Sequence, residues 1–237
     1  MSVKTPLDLS IGYQNIEGLH SRNFSCKLPY IEKKFIHDFE VLVETWNNCK
    51  HNKEIDGYKI LDPIKAQKKS NISKGRSSGG ILIYCKNYLY DFVHECVRTP
   101  HFIWIEIDKN IFHSVHESIK ICIAYNPPEN SKYCNKNLYE DLSEILLTTC
   151  NSHTPFVLIG DLNSRTGDLL DYQHEAEDDT DTSIGPPTRS IAPIKRQNCD
   201  KKTNQMGVKL IDFCKAHDLQ ILNGKNYRGQ NGIIHIP

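Results

Sequence analysis

Apolar positions along this chain fall into short runs of different period, and the difference predicts its elements. Val41, Leu42 and Val43 form an unbroken run that stops at Glu44, which suits a strand buried on both faces whose last residue emerges at the sheet edge. Phe156 to Ile159 is a second such run, followed by Gly160 and Asp161. In Ser118 to Tyr125, Ile119, Ile121 and Ile123 alternate with Lys120, Cys122 and Ala124, the period of two that marks a strand. Ile11 to Asn15, Gly79 to Cys85, Phe102 to Ile107 and Leu219 to Leu222 complete the predicted strands. Helical spacing occurs at Leu28, Ile31, Phe35 and Phe39, at Leu138, Leu142, Ile145 and Leu146, and at Val208, Ile211 and Cys214. Short turns between successive strands predict largely antiparallel pairing. Strands interleaved with helices, without strict alternation, predict an α/β fold of packed sheets covered by helices.

Length and composition narrow the picture. The 237 residues, with 38% hydrophobic content and no linker rich in Gly, Ser or Pro, predict one domain over 1–237 with one substantial core. The segment from Thr166 to Thr203 is long, polar and aperiodic, the character of a functional or disordered loop. No repeat or heptad is found. The longest apolar runs are strand-sized, and the polar start from Met1 to Leu9 is no signal peptide, so the expectation is a protein off the membrane, intracellular, in nucleus or cytoplasm. Nine cysteines without a C-x-x-C pair fit neither a zinc framework nor an even disulfide scaffold, and reduced thiols are expected. The sequons at Asn23 and Asn71 are weak contrary signals. Lys+Arg and Asp+Glu are both 29, so the overall charge carries no mark of a nucleic-acid binder. Locally, Lys65, Lys68, Lys69, Lys74 and Arg76 crowd one stretch, Arg189, Lys195, Arg196, Lys201 and Lys202 another, and Glu175 to Asp181 forms an acidic loop. Such runs are ordinarily solvated loops; flanking a phosphate-cleaving cleft, the basic ones become clamps on a phosphate backbone.

Glu44 and Asp161 each end a buried run, so both carboxylates are expected at strand ends, where converging strands gather distant residues around one ion. Asn15 ends another strand and offers an amide oxygen. Asn163 lies two residues beyond Asp161, and Tyr125 closes a strand with a hydroxyl that suits a phosphate oxygen. An oxygen-only set of this kind fits magnesium, with manganese as the alternative, and without His or Cys at ligand spacing it fits zinc poorly. Each residue also has a plain structural reading: Gly-Asp-x-Asn is a common turn, and a Glu after a strand is often a loop start. The order of the five and their shared strand-end placement are what favour chemistry.

The segments Asn15-Ile16-Glu17-Gly18-Leu19, Val43-Glu44-Thr45-Trp46, Ser78-Gly79-Gly80-Ile81, Ile103-Trp104-Ile105, Ala124-Tyr125-Asn126-Pro127-Pro128 and Gly160-Asp161-Leu162-Asn163-Ser164-Arg165-Thr166-Gly167 resemble the endonuclease/exonuclease/phosphatase superfamily over nearly the whole chain. Glu44-Thr45-Trp46, Arg165-Thr166-Gly167 and Asn204 to Gly224 most resemble the target-nicking endonuclease domain of non-LTR retrotransposons. The resemblance implies a four-layered α/β sandwich, two packed β-sheets flanked by helices. It implies Glu44 and Asn15 as the magnesium site, Asp161 as the group that orients or deprotonates the attacking water, Asn163 as positioning the scissile phosphate and Tyr125 as touching its oxygens. DNA is the implied partner, with Lys65, Lys68, Lys69, Lys74, Arg76 and Arg165 as candidate contacts. No obligate protein partner is evident, and no reverse-transcriptase signature occurs in the chain.

The resemblance also implies a further strand with a buried Asp and a terminal Ser-Asp-His after Leu222, and neither precedes Pro237. His235 has no Ser-Asp before it and is expected to play no catalytic part. The expectation is a domain missing its last strands, with nicking weakened or lost. Two alternatives stand beside it: a non-catalytic remnant that binds nucleic acid or protein, and a phosphatase acting on a phosphorylated lipid or small molecule.

Overall fold

The computed structural model describes residues 9–19, 27, 29–46, 54–68, 77–111, 118–151, 154–172 and 196–223. Eight strands and two long helices follow in the order β1 (Ile11–Asn15), β2 (Phe39–Val43), β3 (Tyr58–Ile64), β4 (Ile81–Lys86), β5 (Val93–Arg98), β6 (Phe102–Ile107), β7 (Ile119–Tyr125), α1 (Leu138–Thr149), β8 (Phe156–Asp161) and α2 (Gln205–Ala216). The strands form two four-stranded sheets, β1-β2-β4-β3 and β5-β6-β7-β8. Most neighbours are antiparallel, as expected, but β1 lies parallel to β2 and β8 parallel to β7. Each of these parallel pairs is joined by a long stretch of chain rather than a hairpin.

Three apolar layers hold the elements together. Between the sheets, Phe39, Val41, Val43, Ile81 and Ile83 meet Ile103, Ile105, Ile121, Ile123 and Tyr125. The other face of the second sheet, with Trp104, Cys122 and Ala124, packs on Leu138 and Leu142 of α1 and on Met206, Leu210 and Phe213 of α2. On the outer face of the first sheet, Leu42, Leu82 and Tyr84 are covered by Ile16, Leu19 and Ile31, the last in a helical turn at 29–32. The result is an α/β sandwich of two mixed sheets with helices outside them. Burying strands on both faces requires continuous apolar runs, which is what Val41 to Val43 and Ile81 to Tyr84 supply.

Several expectations are corrected. The stripe from Leu28 to Phe39 is not one helix: the helical turn ends near 32, and Phe39 begins β2. Pairing and buried polar bonds outweigh the periodicity there, because Asp38 accepts the Ser10 amide (2.8 Å), the Ser10 hydroxyl (2.7 Å) and the Tyr88 hydroxyl (2.5 Å). Leu219 to Leu222 is not a strand; the Ile221 amide is captured by the Asp171 carboxylate at 2.6 Å. On α2, Val208 is exposed, and the buried stripe is Met206, Leu210, Ile211, Phe213 and Cys214. β3 and β5 were not foreseen. All described cysteines are free, and among the described residues no helix is long and apolar enough to cross a membrane.

Candidate active site

β1, β2, β7 and β8 end at the same rim of the sandwich, and their last residues meet there. Asn15 closes β1 opposite Val43, so Glu44 follows directly beside it; Asp161 closes β8 opposite Tyr125. The Asn15 side-chain amide donates to Glu44 Oε1 and to Asp161 Oδ2, both at 3.1 Å, and so ties the first sheet to the second. The Tyr125 hydroxyl donates to the same Glu44 oxygen at 2.7 Å. Four of the sequence-predicted residues are thus in direct contact.

The backbone is bent to make this meeting. Glu44 adopts a left-handed φ of +53°, as do Glu17 (+46°), Trp46 (+49°) and Asn163 (+49°), so among the described residues four of the five non-glycine residues with positive φ lie around this rim. Asn tolerates that region, whereas for Glu and Trp it costs energy that the surroundings must offset. The segment after Glu44 is fixed by the Thr45 and Trp46 amides bonding to the carbonyls of Gly80 and Gly79. A side chain at Gly80, itself at φ +93°, would overlap the Thr45 hydroxyl. That is the physical content of the Gly79-Gly80 pair.

Asn163 is joined to the cluster through its backbone. Its amide donates to Asp161 Oδ1 at 3.2 Å, while its side chain donates to the Asn126 carbonyl at 2.9 Å. Arg165 stands apart: it is exposed, and its guanidinium faces Asp200 at 3.4 Å. Lys65 and Lys68 are exposed beyond the end of β3. Lys69, Lys74, Arg76, the acidic loop from Glu175 to Asp181 and His235 lie outside the described residues. In the second basic run, the Arg196 side chain is buried beside Asp171, whereas Lys201 forms a solvent-exposed pair with Asp168; Arg189 and Lys195 lie outside the described residues.

Three residues that the sequence reading passed over support the cluster. Tyr13, in the middle of β1, extends its hydroxyl across to the second sheet, accepting the Asp161 amide at 2.6 Å and donating to the Ala124 carbonyl at 3.3 Å. Asn126 is fully buried; its amide donates to the Asp161 carbonyl and its side chain clasps Asn135. Asn204 caps α2 by accepting the Gly207 amide (2.8 Å), and it also accepts the Arg165 amide and donates to the Asn163 carbonyl. Asn204 preceding an apolar helical stripe is a readable cap signal; Tyr13 and Asn126 leave no such local trace.

The field at the rim is negative. Burial pushes the Tyr125 hydroxyl far above the usual tyrosine range, and the bond to Glu44 and the charges of Glu44 and Asp161 push it further the same way. Tyr13 is shifted upward chiefly by burial, with Asp161 and Glu44 adding to it. Both tyrosines keep their protons at neutral pH. Two carboxylates sharing one amide donor leave oxygen lone pairs for a hard cation, and the all-oxygen donor set fits magnesium. Among the described residues no group of three or more His, Cys, Asp and Glu gathers at ligand distance, so a cation here would rely on Glu44, Asp161, water and substrate; the Asn15 side chain turns its nitrogen to the carboxylates, and its oxygen accepts the Glu17 amide at 3.2 Å.

No family model and no curated protein matches the chain. Its structure is similar to an AP endonuclease from Leishmania major (TM-score 0.49, 15% identity, covering 66% of this chain and 55% of that one), so the chain spans about half the length of that enzyme. It is also similar to the catalytic domain of human Nocturnin with a bound sulfate (TM-score 0.41, 11% identity, 68% of this chain and 66% of that one) and to a β-hairpin deletion mutant of the Staphylococcus aureus beta toxin (TM-score 0.42, 14% identity, 68% and 69%).

Proposed function

We propose that this chain is a divalent-metal-dependent phosphodiester hydrolase domain of the endonuclease type, acting on DNA and of retrotransposon origin. The observation that carries the reading is the meeting of Asn15, Glu44, Tyr125 and Asp161 at one rim, drawn from both sheets. The retrotransposon part rests on the motifs around Glu44, Arg165 and Asn204 to Gly224.

Glu44, oriented by the Asn15 side-chain nitrogen, would hold magnesium, and the bound ion would supply stabilisation of negative charge on the phosphate oxygens. Asp161 accepts a proton from the attacking water as its oxygen bonds to phosphorus, and the P–O bond opposite breaks, leaving the electron pair on the departing oxygen. Tyr125, still protonated, donates to a phosphate oxygen that competes with Glu44 for the same hydrogen. Asn163, fixed on Asp161 and Asn126, positions the scissile phosphate.

The test is turnover of supercoiled plasmid and of bis(p-nitrophenyl) phosphate with magnesium or manganese, together with the effect of each cation on melting temperature. Asp161→Asn is expected to lower turnover by about a hundredfold or more, and Glu44→Gln to abolish the cation-induced rise in melting temperature. Turnover unchanged in both variants, or the absence of any cation effect on melting or turnover, overturns the proposal.

A further inference from the structure

Three main-chain carbonyls converge beside the candidate active site, and a side chain from outside the turn fills the point where they meet. The turn after β1 bends through two left-handed residues, Glu17 (φ +46°) and Gly18 (φ +96°). Its amides engage the segment around Glu44: Ile16 donates to the Val43 carbonyl (3.1 Å), Gly18 to that of Glu44 (2.7 Å) and Leu19 to that of Thr45 (2.7 Å). The Glu17 amide is taken by the Asn15 side-chain oxygen at 3.2 Å. The carbonyl oxygens of Ile16, Glu17 and Gly18 all point at one atom, the Lys27 ammonium nitrogen, at 3.1, 3.4 and 3.3 Å.

An ammonium carries three N–H donors on one nitrogen and no acceptor, so three carbonyls are the number it can satisfy. Carbonyl oxygens arranged this way take the place of the water shell of a potassium ion in channel filters; here the cation is part of the chain. Packing sets it there. Ile31, one helical turn after Lys27 and so on the same helix face, is buried with Ile16 and Leu19 at the two ends of the turn. What the turn carries is Asn15, whose oxygen is tied to Glu17 and whose nitrogen is thereby aimed at Glu44 and Asp161, both at 3.1 Å. On its other side Gly18 lies against the Trp46 indole, where a methyl group would overlap the ring. Fixing the carbonyls of residues 16–18 therefore fixes both neighbours of Glu44, Asn15 and Trp46.

We infer that Lys27 is a positioning residue, a built-in cation that gathers the Ile16, Glu17 and Gly18 carbonyls and so aims the Asn15 nitrogen at the two carboxylates. It acts through Asn15 and not on the reacting atoms. Its effect on turnover rests on the hydrolase reading; its effect on the turn does not. Lys27→Met keeps an unbranched apolar stem and removes the ammonium. In EDTA its melting temperature is expected to fall by about 3–6 °C, the low end for bonds to a charged group. The local reporter is Trp46: the other tryptophan, Trp104, is fully buried, so acrylamide quenching of indole emission reads residue 46 and is expected to rise in Lys27→Met. Lys27→Arg keeps the charge but spreads its donors over a planar fork, and is expected to behave like Lys27→Met. In Lys27→Ala, ammonium chloride is expected to recover part of the melting temperature and of the protection from quenching, relative to tetramethylammonium chloride, which has no N–H, at equal ionic strength. With bis(p-nitrophenyl) phosphate and magnesium, Lys27→Met is expected to lower kcat roughly 10- to 100-fold with KM little changed, and to add no further loss in the Asn15→Ala background.

Quenching in Lys27→Met equal to that of the unaltered protein overturns the inference even where the melting temperature falls, because Lys27 would then supply stability alone. Unaltered melting and quenching in Lys27→Arg overturn it in favour of a simple positive charge, as do equal effects of the two salts on Lys27→Ala. An undiminished kcat, or a loss that adds in full to that of Asn15→Ala, overturns the role in aiming Asn15. Raised quenching and ammonium rescue in a chain that cleaves no diester would support the built-in cation and refute the hydrolase reading.

Discussion

Replacing Tyr13 by Phe removes one oxygen and nothing else, yet that oxygen is the hydroxyl through which β1 reaches the strand carrying Asp161. It accepts the Asp161 amide at 2.6 Å and donates to the Ala124 carbonyl at 3.3 Å. The shorter bond is the one at stake. Phe retains the ring, so no cavity opens and the packing loss is small. What remains is an Asp161 N–H deprived of its partner, costing about 1–3 kcal/mol, with roughly 0.5 kcal/mol more for the longer bond. In a protein of this size each kcal/mol moves the melting temperature by about 2–4 °C, so a fall of about 3–14 °C is expected. The substitution also frees the Asp161 main chain from β1, while its carboxylate keeps the Asn15 and Asn163 amides. Displacements near 1 Å at a reacting group cost about a hundredfold, so diester turnover is expected to fall roughly 10- to 100-fold with little change in KM. Denaturant unfolding, calorimetry and steady-state kinetics measure the three quantities. A stability change below about 0.5 kcal/mol, the low end for a hydrogen bond, together with intact turnover would show that the hydroxyl neither braces the sheets nor positions Asp161.

Two further outcomes are expected. A methyl group at Gly207 would overlap the Arg165 carbonyl, which is main chain and cannot swing away, so Gly207→Ala is expected to destabilise by about 2 kcal/mol or more through backbone strain at the α2 cap; a melting temperature equal to that of the unaltered protein would refute it. Tyr13, Tyr84, Tyr125 and Tyr139 are all shifted upward, chiefly by burial. Below pH about 10 folded and unfolded chains both keep these protons and the shifts leave stability unchanged. Above it the unfolded chain releases protons that the folded one retains, so stability is expected to fall by about 1.4 kcal/mol per pH unit for each tyrosine. A denaturant midpoint flat from pH 9 to 11 would refute the burial of these hydroxyls.

The parts of the fold legible in the sequence are those where one cause dominates. β6 and β7 announce themselves because strands covered on both faces need uninterrupted or alternating apolar residues. β3 and β5 are edge strands and carry half the apolar load. β3 contains Asp62 and Pro63 at a register shift, where a missing backbone donor is tolerated, and β5 reads Val-His-Glu-Cys-Val-Arg. The stripe from Leu28 to Phe39 misleads because its spacing is local while the bonds of Asp38 and the pairing of Phe39 are made with residues far along the chain. Glu44 was legible as a carboxylate ending a buried run, and Asp161 as one ending an apolar run, although β8 is a half-buried edge strand and not the strand buried on both faces that the run suggested. Tyr13 and Asn126 were not, because their roles exist only after two sheets have docked, and no neighbour in sequence registers that event.

The division of the strands between the sheets follows the chain: residues 11–86 build the first sheet and residues 93–161 the second. Asn15 and Glu44 therefore travel with the earlier portion, and Tyr125 and Asp161 with the later one. Neither portion carries both carboxylates. An ion gripping both carboxylates would act as a clasp between two separately encoded halves, contributing about 2.7 kcal/mol to their docking at a hundred times its Kd. Severing the link near Tyr88 to Asp91 would turn that clasp into a reporter, in which reassembly of the two fragments reads out the concentration of the cation.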